Sequence, residues 1–318
     1  AWKAVADKLA EKHGGSIVTV KASVFSKLDP LKKMAPSFMA VVARPEEIAR
    51  VLVNALHRLS RRLDDDPYGD CIWGIVTGYT PQAAMRIASE TKPLVISRAM
   101  GTTNVDSSRF KDSMSITDWQ PFQYLEQHGS KGKVTPAFYT KGLKEQDKGD
   151  ETTLGVTPKL MEYWKRYSPQ LFVTASHATQ FNLEMPFGKG LIVSGNNRCY
   201  ALDKKQFREF TTFLRGVLFN GKEDDLLSFL NRIKAPVIET RPVPAVWVAA
   251  GNCLIGDAKK TKNSMAVTAL SRYGFNQLVG YTVPSWYGKG GWGTLGLLLS
   301  NHDASSLAEA WYLNNQFI

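Results

Sequence analysis

Residues 245–253 read AVWVAAGNC, and residues 171–177 read LFVTASH. Each begins as an unbroken apolar run of strand length. Each then passes through small residues to a group with chemistry: Cys253 in the first, His177 in the second. A run that is apolar at every position suits a strand buried on both faces, as in a parallel sheet covered by helices. In such sheets functional groups gather at the carboxyl ends of the strands. The two stretches therefore predict both a fold class and the place of a site.

The rest of the chain agrees with that class. Residues 1–13 have the spacing of an amphipathic helix, with Trp2, Val5, Ala6 and Leu9 on one face. Strands are expected at Ser16–Val20, Ser37–Ala43, Asp70–Val76, Pro93–Ser97, Gly190–Ser194 and Asn276–Tyr281. Helices are expected from Pro45 to about Leu63, from Thr80, from Thr157, near 203–215 and 223–232, over Asn263–Tyr273 and over Ser305–Asn314. Residues 99–117 read as a loop, and FQYLEQ, ahead of His128, reads as a helix. The polar, Gly- and Lys-rich stretch 126–156 reads as a connection. It would separate an N-terminal α/β subdomain, 1–125, from a catalytic α/β subdomain, 157–318. Alternation of this kind predicts an α/β protein, a mainly parallel sheet flanked by helices.

Composition removes several function classes. The hydrophobic fraction, 43%, is that of a globular protein, and no run has the length of a membrane helix, so no membrane segment is expected. The net charge is +11, but the basic residues are spread out. Arg58, Arg61 and Arg62 are offset at once by Asp64, Asp65 and Asp66. The charge alone would suit a basic nucleic-acid binder, but no zinc finger or RNA-binding aromatic signature is present, and no nucleic-acid partner is expected. Three cysteines are too few for a disulfide framework, and no pair has metal-ligand spacing. The chain begins at Ala1 and its first residues do not resemble a signal peptide, so a processed or excised piece is expected.

Cys253 and His177 form the pair that acyl transfer needs. A thiolate attacks a carbonyl, and an imidazole carries the proton to the leaving amine. Gly251 and Gly256 allow backbone amides to approach an oxyanion. Taken singly, a Cys or a His beside a strand is ordinary packing; it is their equivalent positions that point to function.

The pattern strand–His, then strand–Ala/Gly-x-Cys, resembles the caspase–legumain–gingipain group of cysteine peptidases, and the gingipain branch fits best. Residues 64–74, DDDPYGDCIWG, are similar to that branch's acidic segment ending in Pro-x-Asp before a strand. The helix from Thr80, then SMAVTAL at 264–270 and VGYTVPSW at 279–286, continue the likeness. The resemblance implies a caspase/gingipain-like αβα sandwich and a cysteine endopeptidase acting on peptide or protein substrates through a thioester acyl-enzyme, with no cofactor required. Cys253 would be the nucleophile and His177 its proton-transfer partner. The backbone N–H groups of Ala178 and Cys253 would form the oxyanion hole, and Trp286 would wall the substrate pocket. It also implies a secreted or cell-surface location and a structural calcium ion, for which Asp64, Asp66 and Asp70 offer hard oxygen ligands.

Departures from the family pattern are visible. Ala178 stands where the family has Gly after the His; its amide remains, with a methyl group near the substrate. Gly74 is followed by Ile75 and not by Arg. The His–Cys interval is lengthened by the helical stretch near 203–232. No residue matches the acidic group behind the gingipains' basic-residue preference, so cleavage specificity is not carried over. His128-Gly129 is a second His-Gly dipeptide, set aside as the catalytic His because of the expected helix before it. The segment GKGGWG at 288–293 lacks the Lys-Ser/Thr ending of a phosphate loop and reads as a loop beside the site. The alternative function is a non-catalytic caspase-like binding or scaffold domain.

Overall fold

The computed structural model of the protein describes residues 1–120, 123–131, 133–139, 156–186, 190–217, 223–240, 243–285, 293–300 and 305–316. In chain order the first part holds α1 (Trp2–His13), α2 (Leu28–Met34), β1 (Phe38–Val42), α3 (Arg50–Leu59), β2 (Ile72–Val76) and α4 (Pro81–Ala88). Then come β3 (Arg98–Gly101), β4 (Asp112–Gln120), β5 (Gln123–Ser130) and β6 (Lys133–Tyr139). The remainder is α5 (Val156–Tyr167), β7 (Leu171–Thr174), β8 (Asn182–Glu184), β9 (Gly190–Gly195), β10 (Arg198–Asp203), α6 (Lys204–Val217), α7 (Glu223–Arg232), β11 (Ala245–Ala249), α8 (Met265–Arg272), β12 (Phe275–Val279), α9 (Thr294–Ser300) and α10 (Leu307–Asn314).

Seven strands form the main sheet in the order β12-β11-β7-β3-β4-β5-β6. The ladders from β12 to β4 are parallel; β5 and β6 add an antiparallel edge. The protein is thus α/β, with a mostly parallel sheet between helical layers. This one sheet takes strands from both sides of the 126–156 stretch. β7 and β11 are interior strands of this sheet, each paired on both sides and buried at every position, and apart from Thr174 their residues are all apolar. One face carries an aromatic cluster of Trp164, Phe172, Trp247 and Phe275, closed by α5 and α8. The other face packs Val246 and Val248 against Leu295 and Leu298 of α9 and Ala310 of α10.

Two smaller sheets flank it. β1 and β2 pair in parallel, and β8, β9 and β10 form an antiparallel meander covered by α6 and α7.

Several sequence expectations are corrected. Ser16–Val20 forms no strand: it has the composition of one but no partner ladder, and Ile17 and Val20 are exposed. Pro93–Ser97 is irregular, and the strand starts one residue later, as β3. Residues 99–117, expected as loop, contain the end of β3 and most of β4. FQYLEQ is not helical, since Gln123–Ser130 is strand β5. The polar stretch contains β6, while its residues 140–155 lie outside the described ones. The expected helix from Pro45 is a 3-10 turn followed by α3. α2, β8, β10 and α9 have no counterpart in the sequence expectations.

Candidate active site

β7 and β11 are hydrogen-bonded neighbours, with Thr174 opposite Ala249. Their carboxyl ends release two turns side by side, one carrying His177 and the other Cys253. Gly251 N donates to Thr174 O at 3.3 Å, so the pairing continues one step past the strands.

Asn252 locks the two turns together. It is fully buried, and its Nδ2 donates to the Ser176 carbonyl at 3.1 Å and to Ser176 Oγ at 3.0 Å. Its Oδ1 accepts from the Thr174 hydroxyl, which in turn accepts from Trp247 Nε1 at 2.9 Å. Each donor in this chain meets an acceptor, so the network satisfies polar groups that would otherwise destabilise the core.

The turn of Cys253 is tight. Leu254 adopts the left-handed conformation at φ 61°, and its N–H donates to Val283 O at 3.3 Å. Gly256 N donates to Tyr281 O at 2.9 Å. A Cβ at Gly256 would stand 2.2 Å from the Gly280 carbonyl oxygen, so only glycine permits this approach. The Cys253 turn is therefore held between the segment after β7 and the segment after β12.

The cysteines differ sharply in setting. Cys71 and Cys199 are buried. Burial, with the Asp70 charge adding to it, pushes the Cys71 thiol up to about 11. Burial pushes that of Cys199 up to about 12, despite a hydrogen bond from Tyr273 acting the other way. Cys253 alone is partly exposed. Its Sγ accepts from Ser285 N at 3.3 Å and lies 3.5 Å from Ser285 O, to which the thiol donates. Among the described residues no hydrogen bond joins it to the His177 ring.

His177 is exposed and opens a short hairpin. Ala178 bridges Leu183 in antiparallel fashion, and Glu184 N donates to His177 O at 2.9 Å. His177 is therefore directly opposite Glu184, with both side chains on one face of the hairpin. Burial raises the Glu184 carboxyl above the usual carboxylate range, while the charge of His177 acts in the opposite sense. Ala178 occupies the non-hydrogen-bonded position, so its N–H points away from β8. Among the described residues neither the Ala178 nor the Cys253 amide is engaged by a main-chain acceptor. The hairpin is tied to the Cys253 loop by Gln180 Nε2, which donates to Asp257 Oδ2 at 3.3 Å, and by Met265 N, which donates to Gln180 O at 2.7 Å.

The other candidates lie elsewhere. Trp286 and the run 286–292 are outside the described residues. His128 projects from β5, with Nδ1 2.9 Å from the Tyr167 hydroxyl and its ring among Tyr163 and Tyr167. Asp64, Asp66 and Asp70 do converge, each presenting a carboxylate oxygen within 4.8 Å of the others. They sit before the amino end of β2, away from the Cys253 turn. Asp70 Oδ2 accepts from Leu63 N at 2.7 Å, and Asp64 and Asp66 accept from Asp66 N and Tyr68 N.

Asn252 and Glu184 escaped the sequence reading. Asn252 had one signal, its place beside the Cys in a turn that must be buried. Glu184 had none, because β8 has three residues and shows no period. Comparison with family models, with the curated proteins and with solved structures finds no match for the chain.

Proposed function

We propose that the protein is a gingipain-like cysteine endopeptidase. The observation that carries this reading is the single partly exposed cysteine, at the carboxyl end of a buried parallel strand whose neighbour ends in an exposed histidine. In the proposed reaction the Cys253 thiolate attacks the substrate carbonyl carbon. The oxyanion is received by the Ala178 and Cys253 amides. His177 gives its proton to the departing amine, leaving a thioester. Water then attacks the thioester with His177 as base, releasing the acid and restoring the thiol. Glu184, opposite His177, is a positioning residue that orients the ring. Peptide or protein substrates, a secreted or cell-surface location and a calcium ion at the acidic turn belong to the same reading.

One observation favours the non-catalytic binding domain instead: both hydrogen-bond partners of the thiol are on Ser285. A positional peptide-library digest with the wild-type chain and Cys253→Ala in parallel separates the two. The peptidase reading expects cleavage by the wild type and none by the variant. Equal cleavage, or none by either, overturns it.

A further inference from the structure

The main sheet ends at β12 and the small sheet at β2, and these two ends border one cleft of about 860 Å³. Trp73, Gly74 and Val76 of β2 line it on one side, and Gln277, Leu278 and Val279 of β12 on the other. β2 has a ladder with β1 alone, and β12 with β11 alone. Each strand therefore presents an outward row of main-chain N–H and C=O groups that no ladder among the described residues uses.

The covering layers run on where the sheet stops. Helix α10 touches both β2 and β12, with the Trp311 ring 5.1 Å from that of Trp73. On the opposite face Arg86 of α4 donates to Leu270 O of α8 and to Phe275 O of β12 at 2.6 and 3.0 Å. The two sheets also send their carboxyl ends to the same side. Lys260 N, after β11, donates to Ile48 O, after β1, at 2.8 Å, and Lys262 lies over the Tyr79 ring, after β2.

Edge strands normally carry Lys, Pro or inward charges that discourage pairing. IWGIV and FNQLV carry none, and among the described residues no Asp, Glu, Lys or Arg lines the cleft, in a chain with 40 Lys+Arg. A Cβ at Gly74 meets nothing within 4 Å.

We propose that the slot between β2 and β12 binds an extended peptide segment, apolar at alternate positions, which pairs with both edges and completes one continuous sheet. The cleft reaches Ala250, Gly256, Tyr281 and Val283 at the base of the Cys253 turn, but the proposed pairing lies along β2 and β12 and does not use Cys253 itself. The occupant's main chain is recognised by the outward groups of the two edges, except the Phe275 carbonyl, which Arg86 already occupies. Its apolar side chains are received by Trp73 and Trp311 on the α10 face and by Leu278 and Leu270 towards α8.

Hydrogen exchange read by mass spectrometry tests this, using the full Cys253→Ala chain so that cleavage cannot remove the probe. The probe is a capped peptide of alternating valine and threonine with lysine at each end; its analogue N-methylated at alternate residues is the control. At saturating peptide the amides of Ile72–Val76 and Phe275–Val279 should exchange at least about tenfold more slowly, with no slowing by the control. Gly74→Lys, which adds an edge charge into open space, should weaken peptide binding by about tenfold while leaving Tm unchanged. Three results overturn the proposal: protection equal with the methylated control, no slowing by the peptide, or edges already protected in the free chain. The last would mean that the two edges close on one another or on a second copy, which sedimentation distinguishes.

Discussion

Asn252 has neither charge nor nucleophile, yet it holds the His177 and Cys253 turns in register. Asn252→Ala would leave the Thr174 hydroxyl and the Ser176 carbonyl without their partner in a site closed to water. We expect a loss of about 2–3 kcal/mol, read by urea denaturation, from these stranded polar groups. In the proposed mechanism Glu184 acts through His177 and not on substrate. Its carboxyl titrates above the usual carboxylate range because it is half-buried, so it gains its charge later than a solvated glutamate as pH rises. The acidic limb of kcat/KM should lie correspondingly high. Glu184→Gln should abolish that limb and lower kcat/KM on the order of tenfold to a hundredfold, with KM little changed. An unchanged pH profile in Glu184→Gln would remove the positioning role. At this scale the sequence made legible the placement of Cys253 and His177 just beyond the ends of two neighbouring strands. It was illegible for Asn252 and Glu184, whose partners are set by the pairing of turns and not by local pattern.

Elements were readable in proportion to how fully the core decides them. β7 and β11 are buried on both faces, so their apolar runs announce them. β5 is polar and forms because β4 and β6 pair with it on either side, which local spacing does not reveal. Ser16–Val20 shows the converse, a strand-like composition with no neighbour to pair. The contact between the turns after β11 and β12 gives a test at this scale. Gly256→Ala places a methyl group 2.2 Å from the Gly280 carbonyl oxygen, so one turn must move. We expect a cost of about 1–3 kcal/mol in thermal or urea denaturation and a fall in peptide cleavage. Wild-type stability would show that the turns are not held so closely. The acidic turn before β2 carries a third expectation. Burial, with Asp64 nearby, raises the Asp70 carboxyl despite the Leu63 N–H that opposes it. A raised carboxyl stabilises the fold while protonated, and that contribution is lost as pH rises through its folded value. Calcium at the turn would offset the loss, so millimolar calcium should raise Tm more at neutral than at acidic pH, and Asp66→Asn should remove the effect. Calorimetry showing no binding at millimolar calcium would withdraw the assignment.

Across the whole molecule, one parallel sheet brings two distant segments of sequence, those of His177 and Cys253, to the same end. Its order places the Cys253 strand between the His177 strand and β12, so the segments after all three meet at one end. The +11 charge is spread along the chain, while the described residues that line the β2–β12 cleft include no Asp, Glu, Lys or Arg. The fold class was legible because alternating apolar strands and helices have few ways to bury both faces of a sheet. The break between β2 and β12 was not, since each strand looks complete by itself. The central claim concerns Cys253, and the most direct measurement is iodoacetamide labelling at each cysteine, followed by mass spectrometry at acidic pH. With His177 as its partner, Cys253 should label at least about tenfold faster in the wild type than in His177→Ala, while Cys71 and Cys199 stay unlabelled in both. Equal labelling of Cys253 in the two chains would contradict the account.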